Sequence, residues 1–176
     1  MRFLSRFVMP AAAVTLVTLV AHAKIARTGE AQVSFTATGP AGLSIVGTTQ
    51  ELSVADAGDE LVVTVPLKNL DTKIELRNKH MRERYLEVAK YPNAELRVQK
   101  SAVKAAAGKA SGVLSLHGKS KPTTFAYTTK PDGGATAVTG SFRVNILDFG
   151  IEKPGYAGVS VKPDVDVKVA FRVTGE

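Results

Sequence analysis

From Gln32 onward, apolar and polar residues alternate with a period of two along most of the chain, the pattern of strands that keep one face dry and the other wet. Val33 and Phe35 alternate with Ser34 and Thr36; Leu61, Val63 and Val65 share one face, as do Leu96 and Val98. Leu114 with Leu116, then Phe125 with Tyr127, then Val138, Phe142, Val144 and Ile146 continue the pattern. The last run is the clearest, with Val165, Val167, Val169, Phe171 and Val173 on one side and Asp164, Asp166, Lys168 and Arg172 on the other. These runs predict about eight strands, near 31–38, 42–54, 60–67, 94–105, 111–118, 121–130, 135–146 and 164–174. Turn residues separate several of them: Gly39-Pro40 with Gly42, Asp56 to Asp59, Gly118 to Pro122, and Pro131 to Gly134. Short connections make sequential antiparallel neighbours. Such a sheet either pairs as a sandwich or closes as an up-and-down barrel, and closure removes its exposed edges.

One passage, Asp71 to Leu96, breaks the alternation and reads as a helix that ends at Tyr91-Pro92, because proline disfavours helical geometry in the residue before it. Thr72 and Glu75 have capping-box spacing, and Asp71 adds negative charge at the helix start. Leu70, Ile74, Arg77, Met81 and Tyr85 fall on one stripe, while Glu75 with Lys79 and Lys79 with Glu83 are spaced to pair on the surface. A narrow apolar stripe of this kind suits a helix resting on a barrel mouth. From Lys73 to Lys90 there are six basic residues against three acidic ones, with His80 among them. A solvated face is the plainest reading of any one cation. The functional reading is a cationic rim that meets a phosphate or a membrane surface.

The N-terminus stands apart from this pattern. Arg2 and Arg6 form a positive segment, Phe7 to Val20 is an apolar run, and Ala21-His22-Ala23 is a cleavage signature, so residues 1–23 read as a signal peptide cut before Lys24. The run falls short of the roughly 18 residues that argue for a membrane span. The expected location is therefore periplasmic or secreted, with residues 24–176 as a single domain. The chain has no cysteine, which excludes a disulfide framework, a thiolate metal site and a lipid-modified cysteine. The formal net charge of +7 drops by two once Arg2 and Arg6 are removed. The remaining excess fits attraction to anionic head groups but is ordinary for exported proteins.

Catalytic readings find little support. His80 and His117 are not in metal-binding spacing with one another, so no metal site is expected. Gly118-Lys119-Ser120 resembles the end of a phosphate loop, but Val113 stands where the first glycine belongs and Lys121-Pro122 cannot open the helix. No nucleophile elbow is present. Nucleic acid is not an expected partner, because the aromatics fall on the apolar faces rather than among exposed cations. The chain is expected not to be an enzyme and to need no cofactor.

The passage from Leu70 to Leu96, with R-N-K-H-M at 77–81 and the Tyr91-Pro92 break, is followed by G-V-L-S-L-H-G-K-S-K-P at 112–122. With P-A-G-L-S-I-V-G at 40–47 and L-V-V-T-V-P-L at 61–67, it resembles the YceI-like family of exported polyisoprenoid-binding proteins from about Gln32 to Val173. The resemblance implies an extended, eight-stranded, antiparallel lipocalin-like β-barrel with one capping α-helix, whose apolar interior holds an isoprenoid or fatty-acid-like lipid. A long-chain lipid is then the expected partner, with homodimers and transient membrane contact compatible with the family. The segment from Leu147 to Pro163, with Pro154, Gly155, Gly158 and Pro163, is long for a plain hairpin and departs from that picture as a candidate lid over one barrel mouth.

The candidate cavity wall comprises Phe35 and Ile45 near the N-terminal end, Val63 and Val65, Leu96 and Val98, and Leu114 with Leu116. Phe125, Tyr127, Phe142 and Val144 follow, then Val167, Val169 and Phe171, with Met81 and Tyr85 closing the helical end. Arg77, His80 and Arg84 are the candidate head-group rim. The alternation alone leaves a second reading open. The same residues would fill a solid core in a stress-related or surface-interaction protein with no bound lipid, since a barrel of this size can be packed with side chains.

Overall fold

The computed structural model describes residues 24–156 and 158–175, so the expected signal peptide lies outside the described residues. In chain order the strands are β1 (Ala26–Thr38), β2 (Ser44–Thr49), β3 (Ser53–Ala57), β4 (Glu60–Pro66), β5 (Asn93–Gln99), β6 (Ala107–Leu116), β7 (Lys119–Asp132), β8 (Ala135–Asn145), β9 (Gly155–Tyr156), β10 (Val159–Ser160) and β11 (Asp164–Thr174). Nine of them form one antiparallel sheet in the order β2-β1-β11-β8-β7-β6-β5-β4-β3, while β9 and β10 make a separate ribbon. The helix α1 spans Glu75–His80 and runs into a π-turn over Met81–Tyr85.

The stretch expected as one strand near 42–54 divides into β2 and β3, so the main sheet has nine strands rather than eight. The break is local: the Glu51 N–H donates to Thr49 Oγ1 at 3.1 Å, turning the chain, and Leu52 is buried at the corner against Ala31 and Val33. The expected strand near 94–105 stops at Gln99 and gives way to a 3-10 turn over Lys100–Val103. β2 and β3 end the sheet order, and β3 packs against β1, so side chains rather than a continuous hydrogen-bond ladder join the two edges. The sheet is a curled barrel whose apolar faces all point inward.

The interior is not one solid core. Buried residues fall into three clusters, around Phe149 with Leu114 and Val144, around Phe125 with Tyr127 and Val98, and around Leu52 with Val33. Phe35, Val63, Leu96, Phe142, Val167 and Phe171 pack beside these clusters but are only partly buried, although their strands turn them inward. Among the described residues no large side chain is completely buried. Native interiors are packed as densely as organic crystals, so inward side chains that stay accessible mark an internal space.

Candidate functional site

That space is a cavity of about 1130 Å³ running through the barrel. It exceeds the roughly 300–1,000 Å³ of ordinary small-molecule pockets. Every residue expected in the cavity wall lines it, from Phe35 and Ile45 at one edge of the sheet to Val167, Val169 and Phe171 on β11, with Met81 and Tyr85 above them. The cause is the strict period of two: with side chains alternating across a curled sheet, each apolar set faces the enclosed volume. These side chains surround a space instead of meeting across it.

Sequence reasoning missed several wall residues. Leu61 and Val173 belong to faces it had identified, whereas Ile151, Pro154, Gly155, Val159 and Val161 come from the long segment after β8. That segment begins with a 3-10 turn, Ile146–Phe149, and returns through β9 and β10. It carries no alternating pattern, so its length marked it as a candidate lid while its lining residues could not be named. Gly140 also lines the cavity, where a Cβ would come within 3.0 Å of Val169.

At one end the helix is fixed by polar contacts. Asn78 and Thr72 are buried at 4% and 3% exposure, and Asn78 Oδ1 accepts from Thr72 N at 2.8 Å and from Thr72 Oγ1 at 2.7 Å. Asn78 Nδ2 donates to Asp71 Oδ1 at 2.8 Å, and Arg82 Nη2 donates to the Leu70 carbonyl at 2.9 Å. The expected capping box is therefore not formed. Ile74 occupies the cap position with no side-chain hydrogen bond, because Lys73 at φ +67° turns the chain between Thr72 and the helix. The expected helical run is also shorter, with neither Glu75–Lys79 nor Lys79–Glu83 paired among the described residues. The stripe of Leu70, Ile74, Arg77, Met81 and Tyr85 nevertheless faces the cavity.

The three rim candidates divide. Arg77 lines the cavity, but its Nε donates to Thr72 Oγ1 at 2.8 Å and its Nη2 to the Thr72 carbonyl at 2.6 Å, so two of its nitrogens hold the helix in place. His80 lines the cavity and is exposed. Arg84 is not a lining residue; its guanidinium lies 5.5 Å from the centre of the Tyr85 ring. Tyr85 itself joins helix and ribbon, with its hydroxyl accepting from Gly155 N at 3.2 Å.

At the opposite end an ion pair ties three segments together beside the cavity. Lys100, a lining residue, donates to Asp56 Oδ1 at 2.7 Å and Oδ2 at 2.8 Å, and Asp56 Oδ2 also accepts from Ile25 N at 3.0 Å. The Lys100 hydrogen bond, reinforced by the Ile25 and Gly58 N–H groups, holds the Asp56 carboxyl below the usual carboxylate range. Asp56 thereby ties the end of β3 to the 3-10 turn after β5 and to the residue that precedes β1.

The YceI-like domain profile matches residues 17–173. The chain belongs to the YceI-like family. A UPF0312 protein of Pseudomonas putida (strain W619) is 35% identical over 102 residues, covering 52% of this chain and 52% of that protein. A second, from strain GB-1, is 34% identical over the same length. The chain spans about half the length of the curated relatives it matches. Among solved structures, a polyisoprenoid binding domain from Saccharophagus degradans implicated in plant cell wall breakdown matches with a TM-score of 0.68 at 18% identity, over 86% of this chain and 98% of that one. BcnA of Burkholderia cenocepacia matches with a TM-score of 0.69 at 15% identity, over 82% and 96%. These likenesses establish a shared fold.

In this YceI-like chain the paired motifs that carried the resemblance meet in space. His117 accepts φ +51° in the β6–β7 turn, where its Nε2 lies 2.7 Å from Glu87 and its Nδ1 3.2 Å from the Phe149 carbonyl. Its ring packs at 4.5 Å on Tyr91, and Gly118 lies so close to that tyrosine that a Cβ would sit 2.6 Å from the ring. The Tyr91-Pro92 and Leu116-His117-Gly118 motifs are thus two sides of one joint that fixes the chain after the helix to the barrel.

Proposed function

We propose that this chain is an exported, non-catalytic carrier that holds a long-chain isoprenoid or related amphiphile in the barrel interior. The observation that carries the proposal is the 1130 Å³ cavity, walled by apolar side chains that stay partly accessible. At about 30 Å³ per water-sized group, it has room for a few tens of non-hydrogen atoms. The polyisoprenoid binding domain of S. degradans, which shares the fold, supports an isoprenoid as the ligand class. The apparent signal peptide at 1–23 supports export, and the domain from 24 onward is read as one lipid-binding unit.

Binding on this reading requires transfer alone. Each methylene-sized group moved from water into the cavity contributes about 0.8 kcal/mol, so several isoprene units exceed the cost of association. Specificity for chain length is weak, because apolar walls discriminate little between neighbouring homologues. A carboxylate in the wall tests the reading directly. Phe142 is half-buried and faces the cavity, so Phe142→Asp places a charge where the chain would lie and can leave it hydrated in an empty cavity. The expected result is a protein that retains its far-ultraviolet circular dichroism and cooperative unfolding but yields no lipid on extraction. Outright unfolding of this variant would speak for a solid core instead.

A further inference from the structure

Seven large apolar side chains are exposed among the described residues, and four of them, Leu43, Ile74, Leu76 and Val159, also line the cavity. They belong to three segments that backbone and side-chain contacts gather at one end of the barrel. Thr48 and Asp71 exchange N–H···O bonds of 2.9 Å, which sets the approach to α1 beside β2. The Tyr85 hydroxyl joins the helix to Gly155 on the ribbon, and Lys162 N donates to the Thr38 carbonyl at 2.6 Å, just before the turn that carries Leu43. The four side chains therefore form an apolar lip continuous with the cavity.

Local structure does not account for the lip. Ile74 is 51% exposed at a helix cap position, where isoleucine is among the poorest choices and Ser, Asp or Asn would stabilise the helix. Leu76, one residue into the first turn, is 56% exposed. Positions that break a local rule without a packing gain answer to something outside the element. The exposed charges on the same segments are Lys73, Lys79, Arg84, Lys153 and Lys162 against Glu75, Glu83, Asp148 and Glu152, a slight cationic surplus around an aliphatic centre, with Lys73 itself paired to Asp71 at 3.0 Å.

The geometry points to this lip as the surface by which the protein docks on an anionic lipid bilayer, with Leu43, Ile74, Leu76 and Val159 entering the head-group boundary and the lysines resting on lipid phosphates. The inference rests on the carrier reading, since a lip continuous with the cavity lets an apolar chain pass between bilayer and barrel without crossing water. A bilayer fits better than a protein partner. The four exposed apolar side chains of the lip are aliphatic rather than the Trp and Tyr that anchor protein interfaces, and a protein seated there would seal the mouth. With five lysines and arginines offset by four carboxylates, apolar insertion leads and salt sensitivity is small.

The test is co-sedimentation of delipidated protein with vesicles of phosphatidylglycerol and phosphatidylethanolamine, and separately with vesicles of phosphatidylcholine alone. Wild-type protein should sediment with both kinds of vesicle, and somewhat more with the anionic ones. The double variant Ile74→Ser with Leu76→Ser should lose about tenfold or more in partitioning. Serine at 74 is a good cap, so the helix is not put at risk, and circular dichroism verifies it. Val113→Ser removes a side chain that is 43% exposed but lies away from the cavity, and should sediment as wild type does. Wild-type protein that stays off both vesicles overturns the proposal, as does sedimentation that survives the double variant or is lost equally with Val113→Ser. Wild-type protein that ignores vesicles and forms a concentration-dependent dimer dissolved by the double variant also overturns it, and assigns the lip to a second copy. Lipid extraction from protein purified without vesicles reports on the carrier reading separately, so failure of docking and failure of carriage are told apart.

Discussion

At position 47 the absence of one methyl group decides how the cavity wall is built. Gly47 on β2 faces Phe35 on β1, and a Cβ there would lie 2.2 Å from the Phe35 ring. The ring is able to lie against the neighbouring strand only because no side chain stands in its way. Gly47→Ala is therefore predicted to push Phe35 off its position, costing about 1–3 kcal/mol in overpacking strain and reducing the lipid held per protein. Chemical unfolding and extracted-lipid stoichiometry measure the two effects, and a substitution neutral in both would show that the ring has another resting place. Phe35 was legible in the sequence because it sits in an alternating run. Gly47 was not, since a glycine gives no periodic signal and its partner lies on another strand. The same contrast holds for Thr72: its spacing to Glu75 was legible, but the left-handed Lys73 between them, which redirects its hydroxyl to Asn78, was not.

Among the elements, strands were easier to read than their ends. Alternation identifies β7, β8 and β11 because each is wet on one side and faces the cavity on the other, whereas the β2–β3 corner turns on a buried Leu52 that looks like one more apolar strand residue. The helical stripe was legible, but the length of the helix was not, because Asp71, Thr72, Arg77 and Asn78 spend their polar groups on one another rather than on extending it. Carboxylates also hold elements together. Asp56 is held below the usual range chiefly by the Lys100 hydrogen bond, Asp166 chiefly by that from Arg143, and Asp71 chiefly by that from Asn78. Because each folded-state value lies below the ordinary 3.8, the stability these groups add is full above that pH and drains as pH falls beneath it. Urea midpoints should therefore be flat near neutrality and drop from about pH 4 downward, and Asp56→Asn should shrink the drop by removing one titrating contact. A wild-type midpoint as high at about pH 3 as at about pH 6 would contradict the stabilising role of these carboxylate contacts.

For the molecule as a whole, the curled sheet, the helix over one mouth and the inward set of residues follow from periodicity and from the resemblance. What periodicity could not supply was volume: it says which way a side chain faces, not how far away the opposite wall stands. The cavity exists because three separate clusters of buried residues leave space between them and because the segment after β8 adds Ile151, Pro154 and Val161 to the wall. A chain that stays folded around so large an apolar space has a strong thermodynamic reason to be filled, since lining atoms without partners forfeit dispersion contacts. Native mass spectrometry of the protein purified without detergent, followed by organic extraction, tests that most directly. The account predicts a non-covalent adduct of defined mass that is released by extraction as a long-chain amphiphile and is missing from Phe142→Asp. A wild-type protein that flies at its bare polypeptide mass, yields no lipid and takes up none when offered a polyisoprenol would contradict it.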